Sequence, residues 1–138
     1  MDPELPLTGG CACGAVRFEV SAPLAGASYC HCTRCQRRTG TAASANARVE
    51  PGSVAVVAGE EHVREWRPEG GMPKAFCGQC GSGLFARTAE GEIRGVRLGA
   101  LDRDPGVRPS VRQFVAYAAS WEPIPDDGLP RYDERAPA

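Results

Sequence analysis

The sequence predicts an all-β fold. Three observations carry that expectation: short alternating apolar and polar runs, turn signals at roughly 8–12-residue spacing, and many chain-breaking residues. Seventeen Gly and twelve Pro punctuate 138 residues, which disfavours a helical bundle and favours short strands joined by turns. The length fits one domain and leaves no room for a large catalytic barrel.

Residues 1–8 read as a flexible lead-in to a single domain over 9–132, with 133–138 as a flexible tail. From Ala15 to Val20 the chain alternates, with Val16, Phe18 and Val20 opposite Arg17 and Glu19, as in a half-buried strand. Pro23 and Gly26 interrupt it, and a short strand through Ser28 and Tyr29 delivers the chain to Cys30. Thr33 to Thr39 is polar and Arg-rich, a short helical turn that Gly40 can end. Ala42 to Val49 is small and extended, and Pro51-Gly52 turns it into a strand over Ser53 to Val57. Gly59-Glu60 turns again. His62 to Arg67 alternates, with Val63 and Glu65 opposite His62, Arg64 and Trp66. After a loop over Pro68 to Pro73, Lys74 to Phe76 leads into Cys77 and Gly83 to Arg87 leads out. Glu92 to Leu98 and Arg112 to Ala118 complete the strands, before a turn-rich stretch from Pro123 to Pro130.

Charge excludes one large class of partner. Sixteen basic residues against seventeen acidic ones give a net charge of −1, without the basic excess typical of nucleic-acid binders. Lys74 is the only Lys among the sixteen; with abundant Ala, Gly and Pro this suggests a GC-rich, bacterial genome. The acidic, Pro-broken start is not a signal peptide, and no apolar run approaches the roughly 20 residues that span a membrane. A cytoplasmic protein is expected, and there closely spaced cysteines usually bind metal or do redox chemistry.

Seven cysteines fall into three clusters: Cys11-Ala12-Cys13, Cys30-His31-Cys32-Thr33-Arg34-Cys35, and Cys77-Gly78-Gln79-Cys80. Zinc takes thiolates at about 2.3 Å in a tetrahedron, and a C-x-x-C on a Gly-rich turn presents two sulfurs to one ion. Two closed four-cysteine sites would need eight cysteines; seven divides naturally into four and three. The two pairs, Cys11 with Cys13 and Cys77 with Cys80, can close one structural site. Cys30, Cys32 and Cys35 then leave a fourth position open on a second ion, the mark of a catalytic or substrate-binding zinc. A zinc ribbon from Cys32, Cys35, Cys77 and Cys80 is the rival partition, although the 41 residues between its pairs exceed the usual loop of about 15–20. His31 follows Cys30 directly, and adjacent side chains of an extended segment diverge, so it is expected beside the ligands rather than among them. His62 reads as a strand residue. Arg34, Arg37 and Arg38 form either a solvated polar turn or an anion-binding rim, since Arg pairs with carboxylates in bidentate fashion.

Three motifs carry a family resemblance: Gly10-Cys11-Ala12-Cys13-Gly14-Ala15-Val16, Cys30-His31-Cys32-Thr33-Arg34-Cys35-Gln36-Arg37 and Phe76-Cys77-Gly78-Gln79-Cys80-Gly81. With Gly99-Ala100-Leu101-Asp102 and the stretch from Trp121 to Pro130, they resemble the glutathione-dependent formaldehyde-activating enzymes and the related centromere protein V domain. The resemblance covers Gly9 to Tyr132 and takes in every cysteine. It implies an Mss4-like fold of short antiparallel strands packed around zinc. It further implies two zinc ions per chain: a structural one on Cys11, Cys13, Cys77 and Cys80, and a catalytic one on Cys30, Cys32 and Cys35. The family reaction is condensation of glutathione with formaldehyde to S-(hydroxymethyl)glutathione, a carbon–sulfur lyase activity in the reverse sense.

Two functions follow as expectations. The first is an enzyme that binds a glutathione-like thiol at the open zinc, orients its carboxylates with Arg34, Arg37 and Arg38, and adds it to a small aldehyde. The alternative is a non-catalytic zinc module that carries glutathione or binds a protein partner. Neither nucleic acid nor membrane is an expected partner.

Overall fold

A computed structural model describes residues 3–137; Met1, Asp2 and Ala138, at the ends of the expected lead-in and tail, lie outside it. Among the described residues ten strands form two sheets. The smaller sheet has the order β1 (Leu7–Gly10), β2 (Arg17–Val20) and β5 (Val54–Ala58). The larger has seven strands. Along it lie β10 (Pro109–Gln113), β3 (Gly26–Cys30), β4 (Ser44–Arg48), β9 (Ile93–Arg97), β8 (Gly83–Arg87), β7 (Lys74–Cys77) and β6 (Val63–Trp66). One helix, α1 (Thr33–Thr39), joins β3 to β4. Among the described residues no helix is long and apolar enough to cross a membrane.

Strand alternation sets the two faces of the larger sheet. Ala27, Ala47, Val96, Phe85 and Ala75 lie in register across β3, β4, β9, β8 and β7, and all are buried. They pack against Leu7, Phe18 and Val20 of the smaller sheet in one core cluster. Phe18 meets Phe85 edge to face, with centroids 5.9 Å apart. The opposite face of the larger sheet has its own row, in which Lys74, Ala86, Gly95 and Arg48 lie in register across β7, β8, β9 and β4. Arg97, Asn46 and Ser28 form the neighbouring row. This polar face is the floor on which the candidate site is built.

The structure corrects one expectation, the position of the last strand, and adds three details. Strand β1 begins at Leu7, inside the segment expected as a lead-in, and Leu7 is fully buried. Gly9 can pair there because a Cβ would lie 2.6 Å from both Ala100 O and Phe18 Cζ. The last strand lies at Pro109–Gln113 rather than Arg112 to Ala118, because Phe114 takes a left-handed φ of 57° and starts a 3-10 turn over Val115–Tyr117. Strand β10 pairs with β3 in parallel, beside the antiparallel pairings of the other strands. Finally, two hydrogen bonds reach residues of the expected tail: the Phe114 amide donates to Glu134 O at 2.9 Å, and the Ala136 amide to Gln113 Oε1 at 3.0 Å.

Candidate metal centres and the adjoining groove

Two turns from distant parts of the chain build the first centre. In the β1–β2 turn, the Val16 amide donates to Cys11 Sγ at 3.2 Å, and the Gly14 amide to Cys11 O at 3.1 Å. In the β7–β8 turn, the Gly81 amide donates to Cys77 O at 2.8 Å, with Gly81 at φ 81°, a left-handed conformation that favours glycine. The Gln79 amide reaches Cys77 Sγ at 3.4 Å. Amides aimed at sulfur steady a thiolate ligand. Ser82 joins the turns: its Oγ accepts from the Ala12 amide at 2.9 Å and lies 3.2 Å from Cys80 Sγ. The bond from Ser82 helps hold the Cys80 thiol at about 5, well below its ordinary value.

The four sulfurs of Cys11, Cys13, Cys77 and Cys80 all lie within 4.8 Å of one another. A tetrahedron with metal–sulfur bonds of about 2.3 Å requires sulfurs about 3.8 Å apart. Cys11 and Cys13 are 3.6 Å apart, and Cys13 and Cys77 are 3.8 Å apart. The donor set and its spacing therefore fit one four-coordinate thiophilic ion.

The second centre is local. Cys30 ends β3, Cys32 caps the N-terminus of α1, and Cys35 lies in its first turns. The Cys32 side chain accepts from the Cys35 amide at 3.3 Å, and the helix stops at Gly40, whose amide donates to Gln36 O at 2.8 Å. The three sulfurs also lie within 4.8 Å of one another, and no fourth His, Cys, Asp or Glu joins them among the described residues. A hydrogen bond with Cys30 lowers the Cys35 thiol to about 5 against the cost of burial, aided by Ser44, Cys32 and the charge of Arg97. The same bond pushes the Cys30 thiol up. The ribbon partition fails on this geometry, because Cys32 and Cys35 group with Cys30, not with Cys77 and Cys80.

His31 is buried at 4 % exposure and belongs to neither sulfur group. Arg112 Nη1 lies 3.2 Å from its Nε2, and its amide donates to Gln113 O at 3.0 Å. Burial, then the charges of Arg112 and Arg131, depresses its pKa. His62 is half-buried, with its Nδ1 3.2 Å from Gln79 Nε2.

The three arginines of α1 take different positions. Arg34 and Arg38 lie over the Trp66 ring, at 5.7 and 5.4 Å from its centroid, and Arg37 is exposed beside them. Arg34 also donates to Glu69 O at 3.3 Å and faces a groove of about 1210 Å³ that contains Cys30, Cys32 and Cys35. Arg38 Nε is buried without a partner. Sequence reading missed the strand residues that line the same groove: Asn46, Lys74 and Arg97. Arg97 donates to Asn46 Oδ1 at 2.6 Å. Their only signal in the sequence is strand alternation, which gives a face and no function.

The sequence model of the family described as glutathione-dependent formaldehyde-activating enzyme matches residues 6–117. A crystal structure of a Rhodobacter sphaeroides protein, a structural genomics target, matches with a TM-score of 0.53 at 28% identity, over 91% of this chain and 98% of that one. No curated protein matches the chain. The mainly β architecture agrees with the all-β, Mss4-like class expected from the sequence.

Proposed function

Because the chain belongs to the glutathione-dependent formaldehyde-activating enzyme family, we propose that it adds a glutathione-like thiol to a small aldehyde at Cys30, Cys32 and Cys35. The observation that carries this reading is a group of three sulfurs, not four, in the wall of a large groove. In the same reading Cys11, Cys13, Cys77 and Cys80 hold a structural zinc that ties the N-terminal sheet to the β7–β8 turn. Cys30, Cys32 and Cys35 would hold a zinc ion, which would supply, when bound, the positive charge that lowers the pKa of a substrate thiol.

The chain's own residues do the rest. Helix α1 and the end of β3 hold the three ligands in one place. Arg34, Arg37 and Arg38 orient the carboxylates of the thiol. Reaction forms one carbon–sulfur bond: the thiol sulfur attacks the carbonyl carbon, the π pair moves to oxygen, and the proton lost by the thiol ends on that oxygen. Three thiolates leave the centre anionic, which favours thiol delivery over water activation.

The test is the rate of S-(hydroxymethyl)glutathione formation from glutathione and formaldehyde, followed by magnetisation-exchange NMR. The proposal requires the wild type to exceed the uncatalysed mixture and Cys35→Ser to fall back to it. Binding of glutathione without acceleration would assign the protein to carriage instead.

A further inference from the structure

The groove beside Cys30, Cys32 and Cys35 concentrates positive charge that the fold does not neutralise. Arg34, Lys74 and Arg97 line it, and Arg38 is close enough for its charge to act on both Lys74 and Arg97. None of the four makes an ion pair among the described residues, and neither do Arg48 and Arg135, which also line the groove. Among the described residues the one carboxylate lining the groove, Glu50, lies beyond Arg48 on the β4–β5 connection. Three thiolates on one divalent cation carry a single negative charge, so four cations leave an excess of three. Like charges held together in a half-buried setting repel, and such arrangements cluster at binding sites.

The sheet register explains why these cations reach the same space. Lys74 and Gly95 lie in one row, separated by Ala86, and Arg97 follows Gly95 by two residues on the same face. Neighbouring strands are about 4.8 Å apart, so Lys74 on β7 and Arg97 on β9 stand two strand spacings from each other. A methyl group and a bare Cα are all that fill the row between them, which leaves the floor open. Burial lowers the Lys74 ammonium, and the charges of Arg97, Arg38 and Arg34 add to that effect while Cys35 opposes it. Arg38 Nε is buried with no acceptor.

We propose that Lys74 and Arg97 form a second anion-binding position on the floor of the groove, distinct from the α1 rim, so that the site takes a thiol flanked by two anionic groups. This rests on the reading of Cys30, Cys32 and Cys35 as the thiol site. One anionic group meets the rim arginines and the other meets Lys74 and Arg97, with the sulfur between them at the open centre. Neutral small thiols lack both anchors, and monoanionic thiols lack one.

The test is calorimetric titration of the zinc-loaded protein with S-methylglutathione, whose sulfur is blocked but whose carboxylates are intact. Lys74→Met and Arg97→Met should each weaken this ligand roughly ten-fold, as expected for one charge-assisted contact. Lys74→Arg should retain most of the affinity, and Arg108→Met, which removes a remote surface charge, should retain all of it. The diethyl ester of S-methylglutathione should bind the wild type at least ten-fold more weakly, an arm that needs no variant to fold. Wild-type affinity in both methionine variants, equal binding of acid and ester, or no binding of S-methylglutathione by the wild type would each overturn the proposal. Failure of the thiol reading looks different: 2-mercaptoethanol and glutathione would leave the sulfur count at the metal unchanged, whatever S-methylglutathione does.

Discussion

Arg112 holds Asp127 through two hydrogen bonds to one carboxylate oxygen, from Nε at 3.1 Å and Nη2 at 2.8 Å. The remaining guanidinium nitrogen lies 3.2 Å from His31 Nε2, and the guanidinium stacks on Tyr29 at 4.3 Å. One buried cation thus connects the C-terminal segment, beyond the residues matched by the family model, to His31, between Cys30 at the end of β3 and Cys32 at the start of α1. Helix α1 adds a second tie: Gln36 Nε2 donates to both His31 O and Tyr117 O at 2.8 Å.

Arg112→Met should therefore act on the site as well as on stability. Removing a buried cation from a hydrogen-bonded pair costs about 2–3 kcal/mol. Denaturant unfolding measures the loss. Hydrogen exchange at the His31 amide should accelerate, because its bond to Gln113 O depends on the same strand end. Unchanged exchange there would confine the role of Arg112 to the tail.

The two centres should respond differently to loss of one ligand. Cys80→Ser removes a ligand that joins turns distant in sequence, and structural zinc contributes folding energy directly. This variant should lose one metal ion and unfold at a markedly lower temperature. Cys35→Ser lies in the short helix α1, close in sequence to its two partners, and should lose one metal ion while keeping its melting transition within a few degrees. Metal analysis of gel-filtered protein, paired with calorimetry, distinguishes them.

Two glycines with the same backbone conformation should differ sharply on substitution. Gly59 and Gly52 have φ of 79° and 77°. A Cβ on Gly59 would lie 1.9 Å from Ala15 O, a backbone atom that cannot swing away, whereas a Cβ on Gly52 meets nothing within 4 Å. Gly52→Ala should cost about 1 kcal/mol, the left-handed penalty alone. Gly59→Ala should cost at least about 3 kcal/mol and disturb the Cys11–Cys13 turn that Ala15 follows. Equal costs would show that Ala15 relaxes freely.

The core between the sheets offers a further check. Phe18 is fully buried against Phe85. Phe18→Ala should destabilise by about 3–5 kcal/mol through lost burial and a cavity. A smaller loss would mean that β2 collapses onto the larger sheet.

What the sequence made legible was local. Alternation located β2 and β6, Gly40 marked the end of α1, and cysteine spacing with an odd count gave the two sulfur groups. What it hid depends on distant partners. Strand β1 contains Gly9 and Gly10, which read as loop until Phe18 and Ala100 are seen to fill the side-chain space at Gly9, and Val16 O and Arg17 that at Gly10. Strand β10 escaped because Arg112, a charged residue, is its buried position, its charge met by Asp127. Lys74 and Arg97 lie 23 positions apart and become neighbours only across three strands of one sheet.

The central claim is that one thiolate centre is closed and the other open. Zinc K-edge absorption on the holoprotein, before and after addition of glutathione, tests it most directly. The account predicts two zinc ions per chain and a gain of sulfur coordination on adding the thiol, abolished in Cys35→Ser. A single zinc per chain, or a sulfur shell that glutathione leaves unchanged, would contradict it.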